Sequence, residues 1–317
     1  MISQEGLIEY FKDKHVTKVF FERLTLSNGN PGIMYLYNYN SELQNFKESF
    51  GLYLPIYVKN EDNLETMDFT DDIDAKLEYY SKRIWNESKV IAHRQTKING
   101  IYGELFLDIY LRVVLKTKLL ISYASKRSFN SGFESKGIDS MGYVFNGNQI
   151  EIYLSEAKFV SNKSTVKKEL LSDIKFGHST TIDGVTKTSP AHLTKNFLDD
   201  YFGFVLDKDI SCPMKDRTQI KSIFDYFNNE INKVGSSKKF TDLLIEKKIK
   251  VHFICFAIFK AEEKKPDELN EIYKEIMDAI ATQFSIIGIS NFSSEIIFVP
   301  TMNQSMEIKK EIDSFYE

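Results

Sequence analysis

The stretch GIDSMGYVFNGNQIEIYLSEAKF, residues 137–159, decides the fold of this chain. Two runs rich in β-branched and aromatic residues flank the triplet Asn-Gly-Asn. Asn-Gly between such runs is the strongest short signal for a β-hairpin. The stretch is therefore predicted to form two antiparallel strands that turn at Gly147.

The second strand of this hairpin begins apolar and ends charged. Glu156 and Lys158 have the same parity as the isoleucine and leucine before them, so all four project to one face of a strand. Burying an unpaired charge is costly, and these two side chains therefore need polar partners. Antiparallel pairing about the turn brings position 138 or 139 opposite position 155 or 156, so Asp139 is expected beside Glu156.

Two neighbouring carboxylates repel each other unless positive charge lies between them. Lys158 supplies one positive charge, and a hard divalent cation such as Mg²⁺ or Mn²⁺ would suit the oxygen ligands of Asp139 and Glu156. A metal held by few carboxylates keeps water molecules and can present one to a phosphate as a nucleophile. The ammonium of Lys158 could orient that water or stabilise charge that develops on the phosphate.

The segment from residue 98 to about residue 118 has helical periodicity and carries a further acid. Glu104 stands in an otherwise apolar turn directly after Gly103, and a glycine allows another element to approach the helix closely. Glu104 either pairs with a basic residue such as Lys158 or Arg112 or joins the two carboxylates of the hairpin. The order helix, strand, strand favours the second interpretation.

After residue 97 the chain alternates predicted strands with predicted helices, which indicates an α/β fold with a mixed sheet flanked by helices. Residues 1–95 are interpreted as an N-terminal α+β region, in which LYLPIYV, residues 52–58, is predicted to be a strand. Residues 96–317 form the second predicted domain, with a helical insertion at about residues 190–235.

The composition excludes several classes of protein. Only two cysteines occur, and neither lies in a C-x-x-C pair, which argues against a disulfide framework or a zinc site. No apolar run has the length of a membrane span, and a cytoplasmic protein without membrane contact is expected. The net charge of −4 is unusual for a protein that grips nucleic acid by itself, so either nucleic acid is not its target or another component delivers it.

Three segments carry a family resemblance: GELFLDIYLR, SKGIDSMGYVF and IEIYLSEAKF. A helix glutamate followed by GID and then by EAK resembles the PD-(D/E)XK nuclease superfamily. The longer segments are similar to the HamA family, the nuclease subunits of the Hachiman anti-phage defence system, over roughly residues 96–180. The resemblance implies a restriction-endonuclease-like fold and magnesium-dependent cleavage of DNA. It also implies a helicase partner that restrains the nuclease until phage infection or DNA damage.

The resemblance also assigns roles to residues of this chain. Asp139, Glu156 and the backbone carbonyl of Ala157 would bind the metal, and Lys158 would be the catalytic lysine. Glu104 would be the helix acid and a further metal ligand if two ions are bound. Some superfamily members add a glutamine on the helix after the lysine strand, and this chain has no residue that fills that position.

Two alternatives to a helicase-coupled nuclease are open. A stand-alone restriction-type endonuclease usually has its own basic recognition surface, which the net charge of −4 does not favour. A non-catalytic interaction subunit has no physical reason to keep three acids around Lys158. Residues 1–95 contain no catalytic set, and their expected role is to dock the helicase partner.

Overall fold

The fold, described by a computed structural model, is built on one large sheet with helices on both of its faces. The structure describes residues 4–16, 20–25, 33–37, 43–58, 69, 72–87, 100–121, 139–173, 181–182, 185–186, 214–231, 240–260, 266–286, 292–301 and 305–317.

The strands, in chain order, are β1 (Phe20–Thr25), β2 (Ile33–Tyr37), β3 (Lys118–Ile121), β4 (Ser140–Asn146), β5 (Gln149–Val160), β6 (Thr181–Ile182), β7 (Val185–Thr186), β8 (Ile249–Lys260) and β9 (Phe292–Thr301). Seven of them form one sheet in the spatial order β1-β2-β9-β8-β5-β4-β3. The four strands β2, β9, β8 and β5 are parallel neighbours, whereas β1, β4 and β3 pair antiparallel. The prediction of a mixed α/β sheet is confirmed.

The described helices are α1 (Gln4–Phe11), α2 (Leu43–Val58), α3 (Ile73–Glu87), α4 (Gly100–Ile109), α5 (Lys163–Asp173), α6 (Met214–Ile231), α7 (Phe240–Glu246), α8 (Pro266–Ile286) and α9 (Ser305–Tyr316). Helices α1 and α4 continue as short π-helical turns, Lys12–Val16 and Tyr110–Val114. Among these helices, none combines the length and hydrophobicity that crossing a bilayer requires.

Strands β4 and β5 form the predicted hairpin. Their pairing runs from Asn146 with Gln149 at the turn to Ser140 with Ser155 at the open end. Gly147 has a φ of 60°, and no atom lies within 4 Å of the position that a Cβ would take there. The backbone conformation, and not a lack of space, therefore favours glycine at this turn.

The alternation of side chains along β5 separates the two faces of the sheet. Ala157 and Phe159 belong to a core that also contains residues of α2, α3, α4 and α9, and we call this side the α4 face. The residues that alternate with them, which include Glu156 and Lys158, project to the opposite side, which we call the Glu156 face. Helices α5 and α8 supply no residue to the first core and pack against β5 and β9 respectively, so they cover the Glu156 face.

The predicted N-terminal region is part of the same structure. Strand β1 pairs with β2, and β2 pairs with β9, so both belong to the large sheet. Phe50 of α2 and Phe106 of α4 lie in one buried cluster, and the Trp85 ring stacks on the Tyr316 ring at a centroid distance of 4.0 Å. The predicted boundary near residue 95 therefore separates neither the sheet nor the core of the described residues.

The prediction of a strand over residues 52–58 is wrong, because these residues form the last turns of α2, with Pro55 inside the helix. Leu52, Leu54 and Ile56 are buried, and so are the two tyrosines between and after them. A short apolar run that is buried on all sides has the same appearance in a sequence whether it is a strand or a helix.

The predicted helical insertion at residues 190–235 lies largely outside the described residues, which include only α6 from it. Asp216 fixes this helix to the edge of the sheet. Its Oδ2 accepts hydrogen bonds from Lys118 Nζ at 2.9 Å and from the Tyr143 hydroxyl at 2.8 Å. The first turn of α6 is therefore joined to β3 and β4 by these two hydrogen bonds.

Candidate active site

Asp139 holds the backbone on both sides of Glu156. Its N–H donates to the carbonyl oxygen of Ser155 at 3.0 Å, and its Oδ2 accepts the N–H of Ala157 at 2.7 Å. These two bonds continue the hairpin one residue beyond its last pair, Ser140 with Ser155. The predicted juxtaposition of Asp139 with Glu156 is therefore present in the structure.

Glu156 and Lys158 follow each other on the Glu156 face. The side chain of Glu156 is 6% exposed and that of Lys158 is 19% exposed, and Lys158 Nζ lies 4.0 Å from Glu156 Oε2. The residue beside Glu156 on β8 is the buried Cys255. A carboxylate in such a poorly hydrated setting interacts strongly with any positive charge that reaches it.

The site lies where β4 ends. The ladder between β4 and β5 stops at Ser140 with Ser155, whereas the ladder between β5 and β8 continues to Val160. Among the described residues, the outer edge of β5 beyond Ala157 is not paired with a strand. At such an open edge, side chains from both faces of a sheet can approach the same stretch of strand.

Helix α4 contacts β5 at Ala157 and Phe159, on the side of the sheet opposite to Glu156 and Lys158. A Cβ added to Gly103 would stand 3.4 Å from the backbone nitrogen of Phe159 and 3.5 Å from the Cβ of Ala157. The close approach predicted for Gly103 is therefore present, and it places Glu104 one helical residue from the contact with β5. Glu104 is half-buried, and its Oε2 accepts a hydrogen bond from the Tyr57 hydroxyl at 2.8 Å.

One turn further along α4, Asp108 makes a different set of contacts. Its Oδ2 accepts the hydroxyl of Tyr53 at 2.7 Å and lies 3.1 Å from Nε of Arg112. Arg112 also donates to the carbonyl oxygen of Ile56 at 2.7 Å. Asp108 and Arg112 are 2% and 3% exposed, so this ion pair is part of the core between α2 and α4.

The donor atoms fit a hard divalent cation in chemical type. Asp139 and Glu156 contribute carboxylate oxygens, and the carbonyl of Ala157, the residue directly after Glu156, is a further oxygen donor. Among the described residues, no three His, Cys, Asp or Glu side chains are arranged to hold a metal ion together. Glu104 therefore does not form a ready three-carboxylate set with Asp139 and Glu156, and its role as a metal ligand stays a prediction.

Tyr57, which contacts Glu104 from the N-terminal region, is not among the predicted site residues. A signal was present, because Tyr53 and Tyr57 are four residues apart, as are Glu104 and Asp108. Residues four apart share one face of a helix, so each pair offers two side chains on one face. In the strand predicted over residues 52–58, these two tyrosines would also share a face, but they would lie further apart along the element than in a helix. Their spacing would then not match that of Glu104 and Asp108.

The fold and the site define a class: a mixed α/β protein with a carboxylate pair and a lysine at the open end of a hairpin. The particular family follows from comparison of the chain with known families. Residues 9–317 match the HamA family, and the chain belongs to it. It is thus a component of a Hachiman anti-phage defence system. No curated protein and no solved structure matches the chain.

Proposed function

We propose that this chain is the metal-dependent DNA nuclease of its Hachiman complex and that a helicase partner delivers its substrate. The observation that carries the proposal is the arrangement of Asp139, Glu156 and Lys158 at the open end of the hairpin. Asp139 donates its backbone N–H to Ser155 and accepts the N–H of Ala157 with its carboxylate, and Lys158 Nζ lies 4.0 Å from Glu156 Oε2. This combination suits hydrolysis of a phosphodiester bond.

Asp139, Glu156 and the carbonyl of Ala157 would hold Mg²⁺ or Mn²⁺, because hard cations prefer carboxylate and carbonyl oxygens. When bound, the ion would activate a water molecule and stabilise charge on the scissile phosphate. The Lys158 ammonium lies beside Glu156 and offers hydrogen bonds to a phosphate oxygen as negative charge develops there. Glu104 approaches from the α4 face and would orient water at the same stretch of β5.

The net charge of −4 supports the proposed dependence on a helicase subunit. An acidic protein attracts the phosphate backbone weakly, and long-range repulsion slows its association with DNA. A helicase that holds the strand supplies the missing affinity, and the same subunit restrains an unspecific nuclease in the cytoplasm. Docking of that partner by residues 1–95 belongs to this proposal.

Plasmid and linear DNA incubated with the chain test the proposal, in Mg²⁺ against EDTA, with and without the helicase subunit. We expect cleavage that requires both the metal and the helicase. No cleavage under any of these conditions would support a non-catalytic subunit. Rapid cleavage by the chain alone at physiological salt would support a stand-alone endonuclease and would remove the need for restraint by a partner.

A further inference from the structure

We propose that Tyr57 is a positioning residue of the active site, which holds the carboxylate of Glu104 toward the open edge of β5. The inference rests on the proposed nuclease function and extends it to the N-terminal region, where the sequence indicated no catalytic set. Its basis is the 2.8 Å hydrogen bond from the Tyr57 hydroxyl to Glu104 Oε2.

Helices α2 and α4 are joined by two matching contacts one turn apart. Tyr53 donates to Asp108, and Tyr57 donates to Glu104. Four residues of α-helix rise by about 6 Å, so the two contacts lie one turn apart along both helices. We call the contact of Tyr53 with Asp108 the Asp108 rung and the contact of Tyr57 with Glu104 the Glu104 rung. The rungs have the same chemistry, a tyrosine hydroxyl bound to a carboxylate, but they differ in what surrounds the carboxylate.

The Asp108 rung is a structural contact. Its charge is compensated by Arg112 Nε at 3.1 Å, and both charged side chains are almost completely buried. A buried ion pair that also receives a tyrosine hydroxyl has little capacity left for a ligand. This rung serves the packing of α2 against α4.

The Glu104 rung lies one residue from the contact of α4 with β5. Glu104 is half-buried rather than enclosed, and the neighbouring Gly103 contacts β5 at Ala157 and Phe159. Tyr57 itself is 4% exposed, so its hydroxyl has a fixed position. A hydrogen bond from a rigid donor limits the carboxylate to few orientations, and catalysis is sensitive to such placement.

Tyr57→Phe removes the hydroxyl and keeps the ring, and Tyr53→Phe is the matched control on the other rung. Cleavage of plasmid DNA by each variant in the complete helicase complex should be measured in a Mg²⁺ titration, beside wild type and Glu104→Gln. We expect Tyr57→Phe to lower kcat about tenfold with an unchanged KM for DNA, because one hydrogen bond to a charged group is lost. Tyr53→Phe should cleave like wild type.

A double-mutant cycle that combines Tyr57→Phe with Glu104→Gln separates positioning from packing. If Tyr57 acts through Glu104, Tyr57→Phe has no further effect on kcat once Glu104 is changed. Wild-type kcat in Tyr57→Phe would overturn the inference, as would full activity of Glu104→Gln. Equal losses in Tyr53→Phe and Tyr57→Phe, with equal losses of melting temperature, would assign both tyrosines to packing and also overturn it. Inactivity of the wild-type complex would instead contradict the proposed nuclease function.

Discussion

The Asp139 carboxylate accepts the backbone N–H of Ala157 at 2.7 Å and so fixes the strand position directly after Glu156. One oxygen of Asp139 therefore has a structural role, whatever the other oxygen binds. Asp139→Asn can keep the acceptor and loses the charge, whereas Asp139→Ala loses both.

We expect Asp139→Asn and Asp139→Ala to abolish cleavage alike, while only Asp139→Ala loses stability, by about 1–2 kcal/mol for the hydrogen bond. Chemical denaturation and a cleavage assay of both variants check this. Equal stability of the two variants would show that the bond to Ala157 adds nothing to the fold, and activity of Asp139→Asn would remove Asp139 from the proposed metal site.

Glu156→Ala and Lys158→Met should each abolish DNA cleavage and leave the protein folded. The physical reason is that Glu156 supplies a buried carboxylate and Lys158 supplies the positive charge beside it. Removal of one member of a buried pair can also destabilise a protein, so melting curves belong to the experiment.

Glu151→Gln is a suitable control for these variants, because Glu151 lies on the same strand and projects to the other face of the sheet. This control should keep wild-type cleavage. Wild-type cleavage by Lys158→Met would instead give the lysine a structural role and contradict the mechanism.

The hairpin and its carboxylates could be predicted because they are local. Asn-Gly marks the turn, and the period of two along β5 assigns Glu156 and Lys158 to one face. The position of Asp139 followed from simple counting about Gly147, and the observed register agrees with it. Short-range rules of this kind depend on few residues and are seldom overridden by the rest of the fold.

The pairing of β2 with β9 and the union of both regions in one core could not be predicted. Such contacts join residues more than 200 positions apart, as with Trp85 of α3 and Tyr316 of α9, whose rings are stacked. The strand predicted over residues 52–58 failed for a related reason, since burial on all sides removes the periodicity that distinguishes a helix. Tertiary packing, and not local preference, determines these elements.

Mn²⁺ should raise the melting temperature of the chain, because an ion bound between Asp139 and Glu156 relieves the repulsion of their carboxylates. At a concentration about a hundred times the Kd, the gain is about 2.7 kcal/mol, or several degrees. The double variant Asp139→Asn, Glu156→Gln should lose this response. Crystals soaked in Mn²⁺ should show anomalous density at the two carboxylates, and density elsewhere would contradict the assignment.

A partly buried histidine on β8 makes the stability of the fold depend on pH. His252 Nε2 lies 2.9 Å from Glu151 Oε2, its Nδ1 lies 2.6 Å from Ser293 Oγ, and the Tyr153 ring stacks on it. Burial, together with the charge of Lys250, lowers the pKa of His252 below its ordinary value, although the Glu151 carboxylate opposes this. The folded state therefore favours the neutral imidazole.

Because the unfolded chain takes up a proton at His252 near pH 6.5 and the folded chain does so only at lower pH, stability is lost as pH falls below about 6.5. The melting temperature should thus decrease between about pH 7.5 and pH 5.5. His252→Gln should flatten this dependence, whereas Ser293→Ala keeps the histidine and should keep the slope. An unchanged slope in His252→Gln would assign the effect to other groups.

Deletion of residues 1–95 should prevent folding of the remaining chain. Helices α2 and α3 contribute Phe50, Tyr53 and Trp85 to the core that holds α4 and α9, and all three side chains are at most 5% exposed. Loss of a single buried aromatic side chain typically costs about 3–5 kcal/mol, so loss of the whole set exceeds the stability of an ordinary domain. The deletion would also remove Tyr57 and expose Asp108 and Arg112.

Circular dichroism and a thermal melt of the fragment containing residues 96–317 check this prediction. We expect no cooperative transition, and the fragment should not bind the helicase subunit because it has no folded surface to present. Surface substitutions on α3, such as at the exposed Tyr79, are the matched test of docking, since they leave the core intact. A fragment that melts cooperatively would show that the two regions have separable cores and would restore the boundary near residue 95.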